Sequence, residues 1–345
     1  MHRLKEDSLN EESSPREGSP PAAGDNGNCI NSSMADITSQ EILRRLGICS
    51  TKNPRAYSEE RDIPLIRQTE TWDCGLACLQ MILVWLRRDT AKDLEGTNAD
   101  DEVVCGSLSI SSEAEKAWMV NFVATKSIWT VDLVMLLQHI LTCNRIYPGD
   151  EDMNTMQGNG SVDSTLEIQQ QCPCPPKFSY LFCSTKFGVD ESYSDLGYYK
   201  DAFPSDELRV ENLFRIARKQ NMPLLQTSRI SLQVLMDITS KQGVVAIALL
   251  DNRILRGNAI HIASSYSGHY VIICGVSRND NDINNARMNS PDGNDGSATH
   301  DFCMAIKNPG SAEQVQFITP SIFEKAWRAK GTDEDVIFIA KHILF

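Results

Sequence analysis

Residues 68–88 read QTETWDCGLACLQMILVWLRR, and this stretch decides the fold. From Cys74 onward the residues are apolar on nearly every side of a helix, which is typical of a helix buried in a core. The polar turn that ends at Asp73 predicts that this helix begins at Cys74. Gly75 follows at once, and its missing side chain would let a substrate approach the backbone closely.

Cys74 is placed for nucleophilic chemistry. The thiolate is the reactive form of cysteine, and the start of a helix favours it through unpaired N–H groups and the helix dipole. Gln68 lies six residues earlier, where its amide N–H and the backbone N–H of Cys74 could form an oxyanion hole. The alternative is a buried structural cysteine, because free cysteine packs like a small hydrophobic residue. We interpret Cys78, one turn later, in that way.

A base and an orienting group are available in the last third of the chain. The segment SGHYVII predicts a core strand in which His269 shares one face with Val271 and Ile273. His269 could be a general base, or a hydrogen-bonded structural histidine; His261 is a competitor, but its surroundings are typical of a loop. Asn308 ends a strand in KNPG, where it could orient the imidazole or serve only as a turn residue.

Composition limits the classes of protein and of site. The formal net charge of -13 argues against binding nucleic acid through its phosphates. No apolar run reaches the ~18 residues of a membrane span, and no leader is visible, so we expect a cytoplasmic protein, or a nuclear one, whose 11 cysteines are mostly free thiols. Cys172 and Cys174 lack the spacing and the partners of a zinc site. The residues Asp333–Asp335 are interpreted as a solvated turn.

The order of elements predicts an α+β protein, with helices first and an antiparallel sheet later. Residues 1–60 form a disordered or weakly ordered tail, rich in Ser, Glu, Pro and Gly, in which Ser14 and Ser19 are possible regulatory phosphosites. One domain then covers residues 61–345. It carries two polar inserts, a loop at about 142–177 and a hairpin at 280–300.

The order Gln68, Cys74, His269 and Asn308 resembles that of papain-like cysteine peptidases, and more closely that of their bacteriocin-processing branch. The resemblance implies a papain-like fold with the nucleophile helix packed on an antiparallel sheet. It implies Cys74 as nucleophile, His269 as base, Asn308 as orienting group and Gln68 as oxyanion donor. It also implies a peptide or protein substrate and no metal or organic cofactor. Asn308 stands where that branch usually has aspartate.

Six separated blocks are similar to the guanylyl cyclase domain-containing protein 1 family: WDCGLAC, SIWTVDL, GVDESYSD, GHYVIICG, KNPG and GTDEDVIFIA. That resemblance implies conversion of GTP to cyclic GMP, a reaction that normally uses divalent metals and a triphosphate site. The sequence shows no paired aspartates or phosphate loop of that kind. A thiol hydrolase is therefore favoured, a guanylyl cyclase is the alternative, and a catalytically inactive binding scaffold is the third interpretation.

Overall fold

The computed structural model describes residues 37–48, 63–94, 112–143, 178–194, 203–257, 266–278, 280–288 and 302–342. All of these residues belong to one unit of the chain, which spans 34–345. Most of the predicted tail and the predicted insert at about 142–177 lie outside them. Among the helices described, none is both long enough and apolar enough to cross a membrane.

The elements follow the predicted order, with helices ahead of most strands. The helices are α1 (Ser39–Arg45), α2 (Cys74–Leu94), α3 (Ser112–Val123), α4 (Thr130–Cys143), α5 (Phe203–Lys219), α6 (Leu232–Thr239), α7 (Asn252–Leu255), α8 (Asp280–Met288) and α9 (Pro320–Trp327). The strands are β1 (Phe178–Ser184), β2 (Leu224–Gln226), β3 (Val244–Asp251), β4 (Gly268–Ser277), β5 (Cys303–Lys307), β6 (Gln316–Ile318) and β7 (Val336–Lys341). The predicted start of α2 at Cys74 is confirmed.

One seven-stranded sheet organises these elements, in the order β2-β1-β7-β3-β4-β5-β6. Every neighbouring pair is antiparallel except β1 and β2, which are parallel. The predicted α+β class with a largely antiparallel sheet is therefore confirmed. β4, the strand that contains His269, lies between β3 and β5.

The sheet separates two hydrophobic cores, and alternation along β4 contributes to both. Tyr270, Ile272 and Cys274 pack into the core that contains α2, α3, α4 and α5. Val271 and Ile273 pack into the opposite core with α1, α6 and α9. The apolar helix α2 thus covers β4 on one face, which brings the N-terminal end of α2 to the start of that strand.

Two helices lie where the sequence predicted a tail and a hairpin. The helix α1 lies within the predicted tail, and its Ile42 and its C-cap residue Leu46 are completely buried in the second core. The predicted hairpin at 280–300 begins instead as the helix α8. Ile283 and Ala286 lie on one side of α8 and pack against Cys303 of β5, so this polar segment has a small apolar face.

The last strand lies inside the sheet, and the turn before it differs from expectation. β7 lies between β1 and β3, where both faces are covered. The acidic turn is present, with Asp333 and Glu334 at positive φ of 49° and 51°. Its last residue, Asp335, is buried rather than solvated, and burial raises the pKa of that carboxyl well above its usual range.

Candidate active site

Cys74 is the first residue of α2 and is only 4% exposed. Burial raises the pKa of its thiol to about 11, although hydrogen bonds from the backbone of Tyr270 and Gly75 to the sulfur oppose that rise. The expectation that the helix start would favour the thiolate is therefore wrong, because desolvation outweighs the backbone donors. The contact with Tyr270 places the sulfur beside the residue that follows His269.

A buried carboxylate shapes the turn ahead of Cys74. The backbone N–H groups of Thr69 and Glu70 donate to the Asp73 carboxylate at 3.3 and 3.2 Å, and the Thr69 hydroxyl donates at 3.1 Å. Lys116 of α3 forms an ion pair with the same carboxylate. The backbone oxygen of Asp73 accepts the first helical hydrogen bond, from Ala77 at 3.0 Å. Asp73 therefore fixes both the turn and the helix start.

Gln68 is held at the opening of this turn. Its backbone N–H donates to the carbonyl of Pro309 at 3.0 Å, which joins the turn to the segment that follows β5. Its side-chain Nε2 donates to the carbonyl of Glu70 at 2.8 Å, and its Oε1 is buried without a hydrogen-bond partner among the described residues. An amide nitrogen carries two hydrogens, so one N–H of Gln68 remains for another acceptor.

His269 and Asn308 form a buried pair. The Nε2 atom of His269 lies 2.8 Å from Oδ1 of Asn308, and the two residues are 3% and 6% exposed. Asn308 Oδ1 also accepts from the backbone N–H of Gly310 at 2.9 Å, and its Nδ2 donates to Oε1 of Gln316 at 2.8 Å. Because Oδ1 only accepts, His269 must donate from Nε2. Its Nδ1 therefore carries the free lone pair when the ring is neutral.

The imidazole is neutral near pH 7. Burial lowers the pKa of His269 to about 4, the hydrogen bond with Asn308 opposes that shift, and the positive charge of Arg256 adds to it. The protonated thiol of Cys74 and the neutral ring of His269 are thus the resting forms. A neutral imidazole is the form that can accept a proton from a thiol.

Tyr270 ties the helix to the strand beside His269. Its backbone carbonyl accepts from the Cys78 thiol at 3.4 Å, and its hydroxyl lies 3.0 Å from that of Thr130 at the start of α4. A Cβ at Gly75 would lie 3.0 Å from its ring, so glycine there allows α2 to approach β4 closely. The structure therefore brings Gln68 to the turn after Asn308, Cys74 to Tyr270, and His269 to Asn308.

The other candidate histidines and cysteines lie away from this site or outside the described residues. His139 lies in α4, where its ring contacts those of Trp118 and Phe122. His261, Cys172 and Cys174 lie outside the described residues. In the described part of the chain, no group of three or more His, Cys, Asp or Glu residues is arranged to hold a metal ion. Cys78 is fully buried on α2, in keeping with the structural role expected for it.

Three residues that shape the site were not predicted from the sequence. Gln316 of β6 fixes the Asn308 amide, Lys116 neutralises Asp73, and Arg256 lies near the imidazole. Each residue lies far along the chain from the residue it contacts, or in a segment without a recognisable sequence motif. Only the short separation between Asn308 and Gln316 in the sequence could have indicated one of these contacts.

The family model described as Guanylylate cyclase matches residues 63–148 and 176–339, well over half of the chain. This chain belongs to the Guanylylate cyclase family. The match confirms the resemblance to guanylyl cyclase domain-containing proteins that the sequence blocks indicated.

A similar protein from Arabidopsis thaliana is named Guanylyl cyclase 1. It is 26% identical over 291 residues, which cover 82% of this chain and 77% of the relative. No solved structure matches this chain. Gln68, Cys74, His269 and Asn308 all fall inside the ranges matched by the Guanylylate cyclase family model.

Proposed function

We propose that this protein is a thiol-dependent hydrolase or transferase that acts on an amide or other acyl bond, with Cys74 as nucleophile. The observation that carries the proposal is the strand β4. Its His269 is paired with Asn308 at 2.8 Å, and its next residue, Tyr270, contacts the Cys74 sulfur through the backbone. In this proposal a nucleophile, a base and an orienting amide act together at the N-terminal end of α2.

The reaction begins from the neutral pair. Cys74 Sγ attacks the acyl carbon while its proton moves to Nδ1 of His269, and the imidazolium then gives that proton to the leaving group. Water attacks the resulting thioester, again losing a proton to His269, and the sulfur leaves as the acid product forms. Asn308 holds the ring so that Nδ1 faces the reaction. The backbone N–H of Cys74 and the remaining N–H of Gln68 stabilise the oxyanion.

The papain-like fold is part of the same proposal. A buried helix begins at the nucleophile and packs on an antiparallel sheet, the base begins one strand of that sheet, and the orienting amide follows the neighbouring strand. This arrangement supports the fold that the Gln, Cys, His and Asn order implied. Since Cys74 and His269 are only 4% and 3% exposed, a substrate must displace neighbouring groups to reach them. Without a bound substrate, we expect the Cys74 thiol to react slowly.

An epoxysuccinyl-peptide probe, which alkylates activated thiols, tests this function. We expect native wild-type protein to be modified at Cys74, as located by peptide mapping. Cys74→Ala and His269→Ala should abolish labelling at that position. Cys78→Ala, which removes the neighbouring buried thiol, is the matched control and should retain it. Labelling of Cys74 that is equal in His269→Ala would contradict the proposal.

A second candidate is the cyclase activity named in the family description and in the Arabidopsis relative. It is tested on the same preparations by incubation with GTP and Mg²⁺ or Mn²⁺, followed by measurement of cyclic GMP. Metal-dependent production that survives Cys74→Ala would favour the cyclase. Failure of both assays would favour the third interpretation, an inactive binding scaffold.

A further inference from the structure

Arg256 lies at the same end of the sheet as His269. β3 and β4 pair with Leu250 opposite His269, and β3 then leads directly into the short helix α7. The start of α7 is fixed beside the start of β4, because the backbone N–H of Asn252 donates at 2.9 Å to the carbonyl of Ser267, the residue before that strand. Arg256 ends α7, and its own backbone N–H donates to Asn252 at 3.0 Å. The backbone at Arg256 is therefore held near the imidazole.

The arginine, the imidazole and the orienting amide border one small space. A Cβ built at Gly310 would lie 3.5 Å from Nη2 of Arg256 and 3.3 Å from both Cε1 of His269 and Oδ1 of Asn308. All three groups thus surround the place where a side chain at position 310 would begin, and this place is empty because residue 310 is glycine. A small group of a bound molecule could contact Arg256 while lying next to the reacting residues.

Arg256 differs from its neighbour on the same helix. Arg253 forms an ion pair with the buried carboxylate of Asp251 at 2.9 Å, whereas no ion pair of Arg256 is found among the described residues. Arg256 is an exposed residue, and its positive charge lowers the pKa of His269. An available guanidinium beside a reacting centre is suited to a carboxylate, which it can bind through two parallel hydrogen bonds.

We infer that Arg256 is a specificity residue that selects acyl substrates bearing a carboxylate close to the scissile bond. This inference rests on the proposed function and names its substrate class. The bound carboxylate would also offset the arginine charge that opposes protonation of His269, so the substrate would assist the proton transfer. A neutral analogue of the same size would gain neither effect.

Two alkylating reagents of nearly equal size provide the test, iodoacetate with a carboxylate and iodoacetamide without one. Each reacts by forming a bond from Cys74 Sγ to the CH₂ carbon while iodide leaves. The rate at Cys74 is measured in full-length native protein at one fixed alkaline pH by peptide mapping. The ratio of the two rates cancels changes in thiol reactivity or in folding, and so reports the recognition of the carboxylate.

We expect Arg256→Gln to lower the iodoacetate-to-iodoacetamide ratio by about tenfold, as for the loss of one nearby charge at an intermediate dielectric. Arg256→Lys should retain part of the preference, because it keeps the charge but loses the planar fork. The control is Arg229→Gln, which removes an arginine that is 58% exposed and pairs with Glu324 of α9, and it should leave the ratio unchanged.

Two outcomes are separable. An unchanged ratio in Arg256→Gln, with Cys74 still alkylated, would overturn the role of Arg256 and leave the thiol site standing. Absence of alkylation at Cys74 by either reagent in native wild-type protein would overturn the thiol site itself, and the inference with it.

Discussion

His269 and Asn308 are joined by a hydrogen bond of 2.8 Å between Nε2 and Oδ1. The bond crosses from the start of β4 to the residue after β5, and the second amide atom of Asn308 is held by Gln316 of β6. Three neighbouring strands thus fix one imidazole in one tautomer. This rigidity is what a general base needs, since its lone pair must point at the proton it accepts.

Replacing Asn308 with aspartate should raise the pKa of His269. The amide stabilises the imidazolium weakly, whereas a carboxylate at the same position adds a negative charge beside the ring. The pKa of His269, about 4 with asparagine, should rise by at least one unit, about 1.4 kcal/mol. The measurement is an NMR titration of the His269 ring. Asn308→Leu, which offers no acceptor, is the control and should not raise it; an unshifted titration in Asn308→Asp would show that the pair does not form.

The reactivity of Cys74 should keep rising with pH. With a thiol pKa of about 11, the thiolate fraction increases about tenfold for each pH unit between pH 7 and 10. The rate of Cys74 alkylation by iodoacetamide should follow that slope, while free glutathione measured alongside should level off earlier. A plateau at Cys74 near neutral pH would mean that the thiolate is already formed in the resting protein.

Lys116 should be required for stability because Asp73 is fully buried. Lys116→Met leaves that carboxylate without its cation, and we expect the free energy of unfolding to fall by about 3 kcal/mol, a typical loss when one partner of a buried pair is removed. Urea denaturation measures it. Lys126→Met, at an exposed lysine three residues after the end of α3, is the control. The double variant Asp73→Asn with Lys116→Met should recover part of the loss; no difference between Lys116→Met and the control would refute this role.

The hydroxyl pair of Thr130 and Tyr270, 3.0 Å apart and buried, should hold β4 against α4. Thr130→Val removes one partner, and we expect a loss of about 1–2 kcal/mol in the free energy of unfolding. Thr130→Ser keeps the hydroxyl and should lose less. A double-mutant cycle with Tyr270→Phe should give a non-zero coupling energy. Strict additivity would indicate that the two hydroxyls do not interact.

The local features of this fold were predictable from sequence. The apolar run from Cys74 predicted α2, and the alternation after Gly268 predicted β4, because both patterns are set by the packing of a single element. The strands β2 and β6 contain only three residues each, which is too short for a periodic signal. The helix α8 was hidden for a similar reason, since Ile283 and Ala286 are the only buried residues in its described part, 280–286.

The properties of the site depended on contacts that no local pattern carries. Burial raises the pKa of Cys74 and lowers that of His269, whereas a thiolate–imidazolium pair would need the opposite shifts. Burial is a property of the assembled fold. The positions of Gln316 and Arg256 likewise depend on which strands pair. Sequence order could nominate His269 and Asn308, but only the pairing of β4 with β5 brings them into contact.

Acyl transfer from p-nitrophenyl acetate tests the central claim most directly. The measurement is the rate at which acetyl appears on Cys74 and is then lost by hydrolysis, followed by mass spectrometry of quenched samples. The account predicts that wild-type protein forms and hydrolyses this thioester, and that His269→Ala slows its formation by about 100-fold, the lower range for general-base catalysis. Equal rates in wild type and His269→Ala, or no acetyl on Cys74, would contradict it.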